Sequence, residues 1–189
     1  MVEIKLLKFE KILYMALATL AAGCFWCTET LFARINGVKS VLPGYTDGHI
    51  KNPAYREVCT GRTGHAECIQ LEYDPKQITF ETLLDVFFDT HDPTTLNRQG
   101  NDIGTQYRSG IYFHDEEQQQ IAEKMIRELA EKQAYAAPIV TEVKPFTVFY
   151  PAEIEHQDYY NLNKNQPYCS AVITPKVKKL LDLHASKLK

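Results

Sequence analysis

Cys24 stands in the run Gly23-Cys24-Phe25-Trp26-Cys27, after an apolar stretch ending at Ala22 and before residues at helical spacing, Leu31, Phe32 and Ile35. A cysteine at a strand-to-helix junction meets the unpaired N–H groups of the first helical turn. These favour negative charge, which lowers a thiol pKa and makes a nucleophile. Phe25 and Trp26, the chain's one tryptophan, offer an apolar wall beside it. The same pentapeptide also suits a plain buried cysteine, because a free Cys packs as a small hydrophobe. Cys24 and Cys27 form a C-x-x-C pair, readable as a redox pair, half of a zinc site or coincidence. Zinc needs further ligands at recognisable spacing. Cys59, His65 and Cys68 lie at intervals that match no common pattern, and no second C-x-x-C follows. No metal is expected.

Glu67 closes the run Thr63-Gly64-His65-Ala66-Glu67. His-Ala-Glu opens the signature of zinc nucleobase deaminases, but that signature continues into a downstream Pro-Cys-x-x-Cys. Here the C-x-x-C lies upstream and no Pro precedes it, so the order is wrong. Read as chemistry, a carboxyl at the start of a strand is a general acid if burial raises its pKa. Read as plain structure, it is a solvated loop carboxylate. Tyr45, in Gly44-Tyr45-Thr46-Asp47-Gly48, and Tyr107, in the polar loop Asn101 to Ser109, carry hydroxyls able to donate to a polarised oxygen. A thiol, a carboxyl and two phenols together suggest reduction or acyl transfer at a polar X=O bond. No convincing oxyanion hole accompanies them, which disfavours acyl transfer.

The elements that must position these groups alternate. The apolar run 16–22 reads as a buried strand leading into a helix from about Cys24 to Ile35. A strand around Val38–Tyr45 and a turn-rich stretch 46–64 follow. Glu67–Tyr73 has strand alternation and is stopped by Asp74-Pro75; Thr79 is a helix N-cap before Phe80, Leu83, Leu84, Phe87 and Phe88. A polar loop 90–108 precedes a strand at Gly110–Phe113, and Glu116–Lys132 is the strongest helix. Val140–Phe149 reads as one strand, Glu155–Leu162 as a short aromatic helix and Lys176–Leu188 as a basic terminal helix. Interleaved strands and helices with short gaps predict an α+β two-layer sandwich.

The chain of 189 residues has the size of one domain, and no repeat or linker divides it. With 44% hydrophobic and 24% charged residues it is neither disordered, collagen-like nor a multi-span membrane protein. A net charge of -3 gives no basic excess for nucleic acid. Five cysteines are too few for a disulfide scaffold, and their odd number leaves one unpaired, as in a reducing compartment. At the amino terminus Lys5, Lys8 and Lys11 precede the apolar run Ile12 to Ala22, as in a leader ending at a lipid-modified Cys24. Glu3 and Glu10 contradict a basic leader, and the run is too short to span a bilayer. Met15 suits a functional start, which makes 1–14 an extension and 15–189 a single catalytic domain.

Five motifs in order resemble the A-class peptide methionine sulfoxide reductases: Gly23-Cys24-Phe25-Trp26, Gly44-Tyr45, Thr63 to Glu67, Gly104 to Ser109, and Glu155-His156-Gln157-x-Tyr159. They run from about residue 16 to residue 175. The resemblance implies reduction of methionine S-sulfoxide, free or in proteins, in repair of oxidised proteins. It also implies a mixed sheet with a ferredoxin-like core. By the same resemblance Cys24 attacks the sulfoxide sulfur and Glu67 protonates its oxygen. Tyr45 and Tyr107 hold that oxygen, Asp102 positions the substrate, and Phe25 and Trp26 grip its methyl group. Cys24 is left as a sulfenic acid. Many relatives have Gly in place of Cys27 and keep resolving cysteines in a Gly-rich tail. Here Cys169, in the tail, ranks slightly ahead of Cys27 as resolver. The implied reductant is external, thioredoxin or dithiothreitol, with no bound cofactor; no nucleic acid or membrane partner, a monomer and a cytoplasmic location complete the expectation. Cys59 is expected as a loop thiol and Cys68 as a strand-core residue.

Overall fold

The central strand of the protein is built from the run that mimics a leader. The structure is a computed structural model and describes residues 15–189, so the expected extension 1–14 lies outside the described residues. In chain order the elements are β1 (Ala16–Ala22), α1 (Phe25–Phe32), β2 (Val38–Thr46), α2 (Tyr55–Val58), β3 (Ala66–Tyr73), α3 (Phe80–Thr90), β4 (Arg98–Gln99), β5 (Asp102–Ile103), β6 (Ser109–Phe113), α4 (Glu116–Glu131), β7 (Glu142–Pro145), β8 (Phe149–Pro151), α5 (Tyr159–Leu162) and α6 (Thr174–His184). β1 pairs antiparallel with β3 on one side and β6 on the other. A cleavage before Cys24 would excise this strand, so a lipid-modified Cys24 does not fit the fold.

The sheet order is β7-β6-β1-β3-β2-β8, and only the β6–β7 pair is parallel. The inner four strands in the order β6-β1-β3-β2, with α1 and α3 as connections, form the expected ferredoxin-like core. Ala18, Leu20 and Ala22 of β1, Ile69 and Leu71 of β3 and Ile111 of β6 share one face. Against it pack Leu31 and Phe32 of α1, Leu83, Leu84 and Phe87 of α3, Ala122 of α4 and Leu180 of α6. Fully burying each large side chain among them contributes about 2 kcal/mol. Thr79 caps α3 by accepting from the Thr82 N–H at 3.1 Å, and Asp115 caps α4 by accepting from Gln118 at 2.8 Å.

The expected strand Val140–Phe149 is two strands on opposite edges of the sheet, β7 and β8. Pro145 has no N–H to continue the ladder. Pro145 and Phe149 are separated by four residue steps, a reach of about 15 Å. A flat six-stranded sheet would be about 24 Å across. The sheet must therefore curl until its edges approach. Phe146 and Phe149 then cover the helix-free face, packing on Ala21, Ala66, Cys68 and Tyr112. Asp47, just past β2, closes the curl by pairing with Arg108 and with Lys144 of β7, both at 2.9 Å.

Other differences are local. α1 ends at Phe32, and Ile35 instead bridges to Leu188. The turn-rich stretch holds α2, and the polar loop holds the β4–β5 ribbon and a 3-10 turn, Thr105–Tyr107. The expected helix 155–162 is broken at Asp158, with a 3-10 turn, Ile154–His156, before it and α5 after it. The terminal helix starts earlier, at Thr174, behind a turn of π-helix, Cys169–Ile173.

Candidate active site

Gly23 makes the turn from β1 into α1. Its φ is +83°, and a Cβ there would stand 2.5 Å from the Cβ of Gln99, so both backbone hand and space require glycine. Cys24 is thereby the N-cap of α1. The next N–H, of Phe25, donates to Glu67 Oε2 at 3.0 Å. Glu67, on β3, is 1% exposed, and its other oxygen has no partner among the described residues. Burial pushes its pKa up to about 8 against the Phe25 hydrogen bond, with Asp102 and Cys27 adding to the rise. At neutral pH the carboxyl therefore holds its proton, the state that a general acid needs.

The helix terminus does not by itself lower the Cys24 thiol. Burial pushes it well above the ordinary value, and a hydrogen bond to Cys27 reinforces this. That bond brings Cys27 down to about 7 against its own burial, with help from the Lys176 ammonium and the Tyr168 phenol. Of the two thiols, Cys27 is therefore the one that ionises more readily. Cys169, on the π-turn, is buried in the same small cluster as Cys24 and Cys27, with Tyr107, Trp26, Tyr159 and Tyr168 packed around it. The Tyr168 hydroxyl donates to Asp102 Oδ2 at 2.7 Å, which ties the tail to the β4–β5 ribbon.

The two tyrosines singled out by the sequence differ in setting. Tyr107 is half-buried on its 3-10 turn, and burial and the nearby Glu67 carboxyl push its pKa up. That turn is held by Gln106, whose Nε2 donates to the Cys59 carbonyl at 3.3 Å, and by Arg108, whose Nη1 donates to the Thr105 carbonyl at 2.9 Å. Tyr45 is fully buried, and its hydroxyl donates to Glu153 Oε2 at 2.8 Å. The other Glu153 oxygen accepts the N–H of Tyr55 at 2.7 Å. Tyr55, on α2, is the half-buried phenol on this side. Its ring lies 4.2 Å from that of His156 and 6.1 Å from Phe25, and Glu67 follows burial among the causes raising its pKa. Its hydroxyl partner is the thiol of the exposed Cys59. A thiol sulfur is a weak acceptor.

Trp26 is stacked on Tyr159 at 3.7 Å with planes 7° apart and meets the edge of Tyr168 at 6.0 Å. The structure therefore gathers Cys24, Cys27, Cys169, Glu67, Asp102, Tyr107, Phe25 and Trp26. It places Cys68 on the helix-free face, and it places His65 where its Nε2 meets the Ile50 carbonyl at 2.7 Å. Sequence reasoning missed Tyr55, Glu153, Tyr159 and Tyr168 as site residues. Tyr159 lies in a quoted motif and Tyr168 adjoins Cys169, which are the signals that point to them. Glu153 offers none.

The recess holds a thiol, a carboxyl and phenols among aromatic rings, and the relatives of the chain give its family. The sequence model of the family described as Peptide methionine sulfoxide reductase matches residues 16–189. The chain belongs to this family. The Peptide methionine sulfoxide reductase MsrA of Saccharolobus solfataricus is 55% identical over 175 residues, 93% of this chain and 98% of that one. Among solved structures, methionine sulfoxide reductase A of Corynebacterium diphtheriae is similar with a TM-score of 0.75 at 41% identity, covering 79% of this chain and 75% of that one. Mxr1 of Saccharomyces cerevisiae in complex with Trx2 is similar with a TM-score of 0.53 at 30% identity, covering 82% and 91%. This reductase is an oxidoreductase that converts methionine S-sulfoxide to methionine. Among its described residues no group of three His, Cys, Asp or Glu could hold a metal ion, and no helix is long and apolar enough to cross a membrane.

Proposed function

We propose that Cys24 is the nucleophile and Glu67 the acid of this reductase. The observation that carries this is the Glu67 carboxyl, protonated at neutrality and held on the first N–H of α1 beside the Cys24 thiol. The sulfoxide oxygen takes the place beside Glu67 Oε1 and accepts its proton as Cys24 sulfur attacks. The attack bonds Cys24 to the substrate sulfur; as the protonated oxygen passes to Cys24 that bond and the substrate S–O bond break, methionine leaves as the thioether with the electron pair, and the Cys24 thiol proton restores Glu67. Tyr107 and Tyr55 donate to the oxygen. Tyr45, assigned that part from the sequence, acts through Glu153, which accepts from both the Tyr45 hydroxyl and the Tyr55 N–H. Asp102 orients Tyr168, and Phe25 and Trp26 form the wall for the methyl group. Replacing Cys24 with Ser should abolish methionine sulfoxide reduction with dithiothreitol while the protein stays folded. Retained turnover would overturn the assignment.

For recycling, we infer the order Cys27 before Cys169, the opposite of the ranking drawn from the sequence. Cys27 lies one helical turn from Cys24 and packs in the same buried cluster, so it is the thiol placed to reach the Cys24 sulfenic acid first. Its attack releases water and forms the Cys24–Cys27 disulfide. Cys169, against Cys27, then attacks the Cys27 sulfur, frees Cys24 and passes the disulfide to the tail. Thioredoxin, the partner in the Mxr1–Trx2 complex, reduces it. Repair of peptide-bound methionine sulfoxide by a cytoplasmic monomer completes the reading.

A further inference from the structure

Glu29 lies in the second turn of α1, on the same helix as Cys24 and Trp26. It is 7% exposed. Its Oε1 accepts the N–H of Asp158 at 2.8 Å, and its Oε2 has no partner among the described residues. Asp158 has φ 52° and ψ 31°, a left-handed conformation that a non-glycine residue keeps only where its surroundings hold it. The next residue is Tyr159, stacked flat on Trp26. The turn that follows α1 grips the same segment. Arg34 Nη2 donates to Asn161 Oδ1 at 3.2 Å and its guanidinium stands 5.6 Å from the Tyr160 ring, while Asn161 donates to Asp158 Oδ1 at 2.5 Å. One helix and the turn after it thus carry the nucleophile at the start and, farther along, the groups that fix the ring covering Trp26. Burial brings Glu29 up to about 7, and an oxygen of either protonation state can accept the N–H.

We propose that Glu29 is a positioning residue for sulfoxide recognition: by holding the Asp158 N–H it sets how Tyr159 lies on Trp26, and so which face Trp26 presents to the substrate methyl group. This rests on reading Trp26 as the substrate wall. The test is a series at position 29 in the full-length enzyme, with a methionine sulfoxide peptide and dithiothreitol, read by KM, kcat and fluorescence. Trp26 is the only tryptophan, so its emission reports the stack directly. Glu29→Ala should raise KM about tenfold, the loss of one buried hydrogen bond, leave kcat within about twofold and change the emission. Glu29→Gln keeps an acceptor oxygen and should restore both. Glu29→Met, close in volume and a poor acceptor, serves if the alanine variant does not fold, and should behave as expected for alanine. In a Tyr159→Ala background the same substitution should no longer move KM. An unchanged KM in the alanine and methionine variants, unaltered emission, or full additivity with Tyr159→Ala would overturn the proposal. Trp26→Ala separates it from the reading beneath it. An unchanged KM there overturns the wall itself, whereas a raised KM there beside an unmoved KM in Glu29→Ala overturns only the part of Glu29.

Discussion

Cys24 and Glu67 enter the site from β1 and β3, neighbouring strands joined by a ladder from Ala16↔Tyr73 to Leu20↔Ile69. Tyr159, Tyr168 and Cys169 enter from helical turns of the tail, tied down by side chains: Glu29 to the Asp158 N–H, the Tyr168 hydroxyl to Asp102, the Tyr160 hydroxyl beside that of Thr174. Backbone pairing across a buried sheet opens only with the whole domain, whereas single side-chain bonds open locally. The two halves match two demands of the reaction. Attack and proton transfer need sulfur, carboxyl and sulfoxide in fixed geometry. Recycling needs a disulfide to pass from Cys24 outward, which a segment held by few bonds can follow. The π-turn that bears Cys169 suits this, since such turns are rare and concentrate at functional sites.

The largest expected effect separates the halves outright. Cys27→Ser should still form about one methionine per enzyme in the absence of reductant, yet lose thioredoxin-driven cycling; Cys169→Ser should slow cycling less. If Cys169→Ser alone stops cycling, the tail rather than α1 supplies the first resolving thiol. Next comes the sheet half. Glu67→Gln cannot give a proton, and methionine formation in a single turnover should fall about 10³-fold. In the wild type that rate should decline as pH rises through about 8, where Glu67 loses its proton, and the variant should lack this limb. The same shift has a sign for stability. An unfolded Glu gains from ionising above its ordinary pKa, and the folded one forgoes that gain up to about 8, so stability is lost as pH rises between the two. Glu67→Gln should therefore raise stability at pH 7 by about 3 kcal/mol in denaturant titrations, an inactive but firmer protein. A destabilised variant would break the idea that the sheet half bears strain for chemistry. The smallest effect compares two phenols. Tyr55→Phe should slow single turnover about tenfold with little loss of stability. Tyr45→Phe should cost about 1 to 2 kcal/mol of stability and change the rate little. The reverse pattern would return the oxygen-binding part to Tyr45.

Much of the fold was legible because its signals are local. The apolar run of β1, the alternation in β3, the cap Thr79 and the spacing of Phe80, Leu83, Leu84 and Phe87 each declare an element without reference to any other. The break at Pro145 was legible in principle, but where the chain goes next was not: β8 lies at the far edge because the sheet curls, and no window of sequence contains that curl. The site divides in the same way. Gly23 and the apolar run before it mark Cys24 as a strand-to-helix cysteine, and the motif order points to Glu67, Asp102 and Tyr107. A quoted motif also named Tyr45, yet which phenol faces the recess depends on Glu153, 108 residues away in the chain.

By itself, then, the sequence determined that this chain folds as a small α+β domain with a thiol at a helix start and the chemistry of a sulfoxide reductase. Residue types and short-range spacing suffice for that. Only the tertiary structure decided how the protons are placed. Burial holds the Glu67 carboxyl and the Cys24 thiol above their ordinary pKa values, and the bond between the two thiols brings Cys27 down. Desolvation and hydrogen bonding act through space, between groups that the chain brings together only when the sheet has closed.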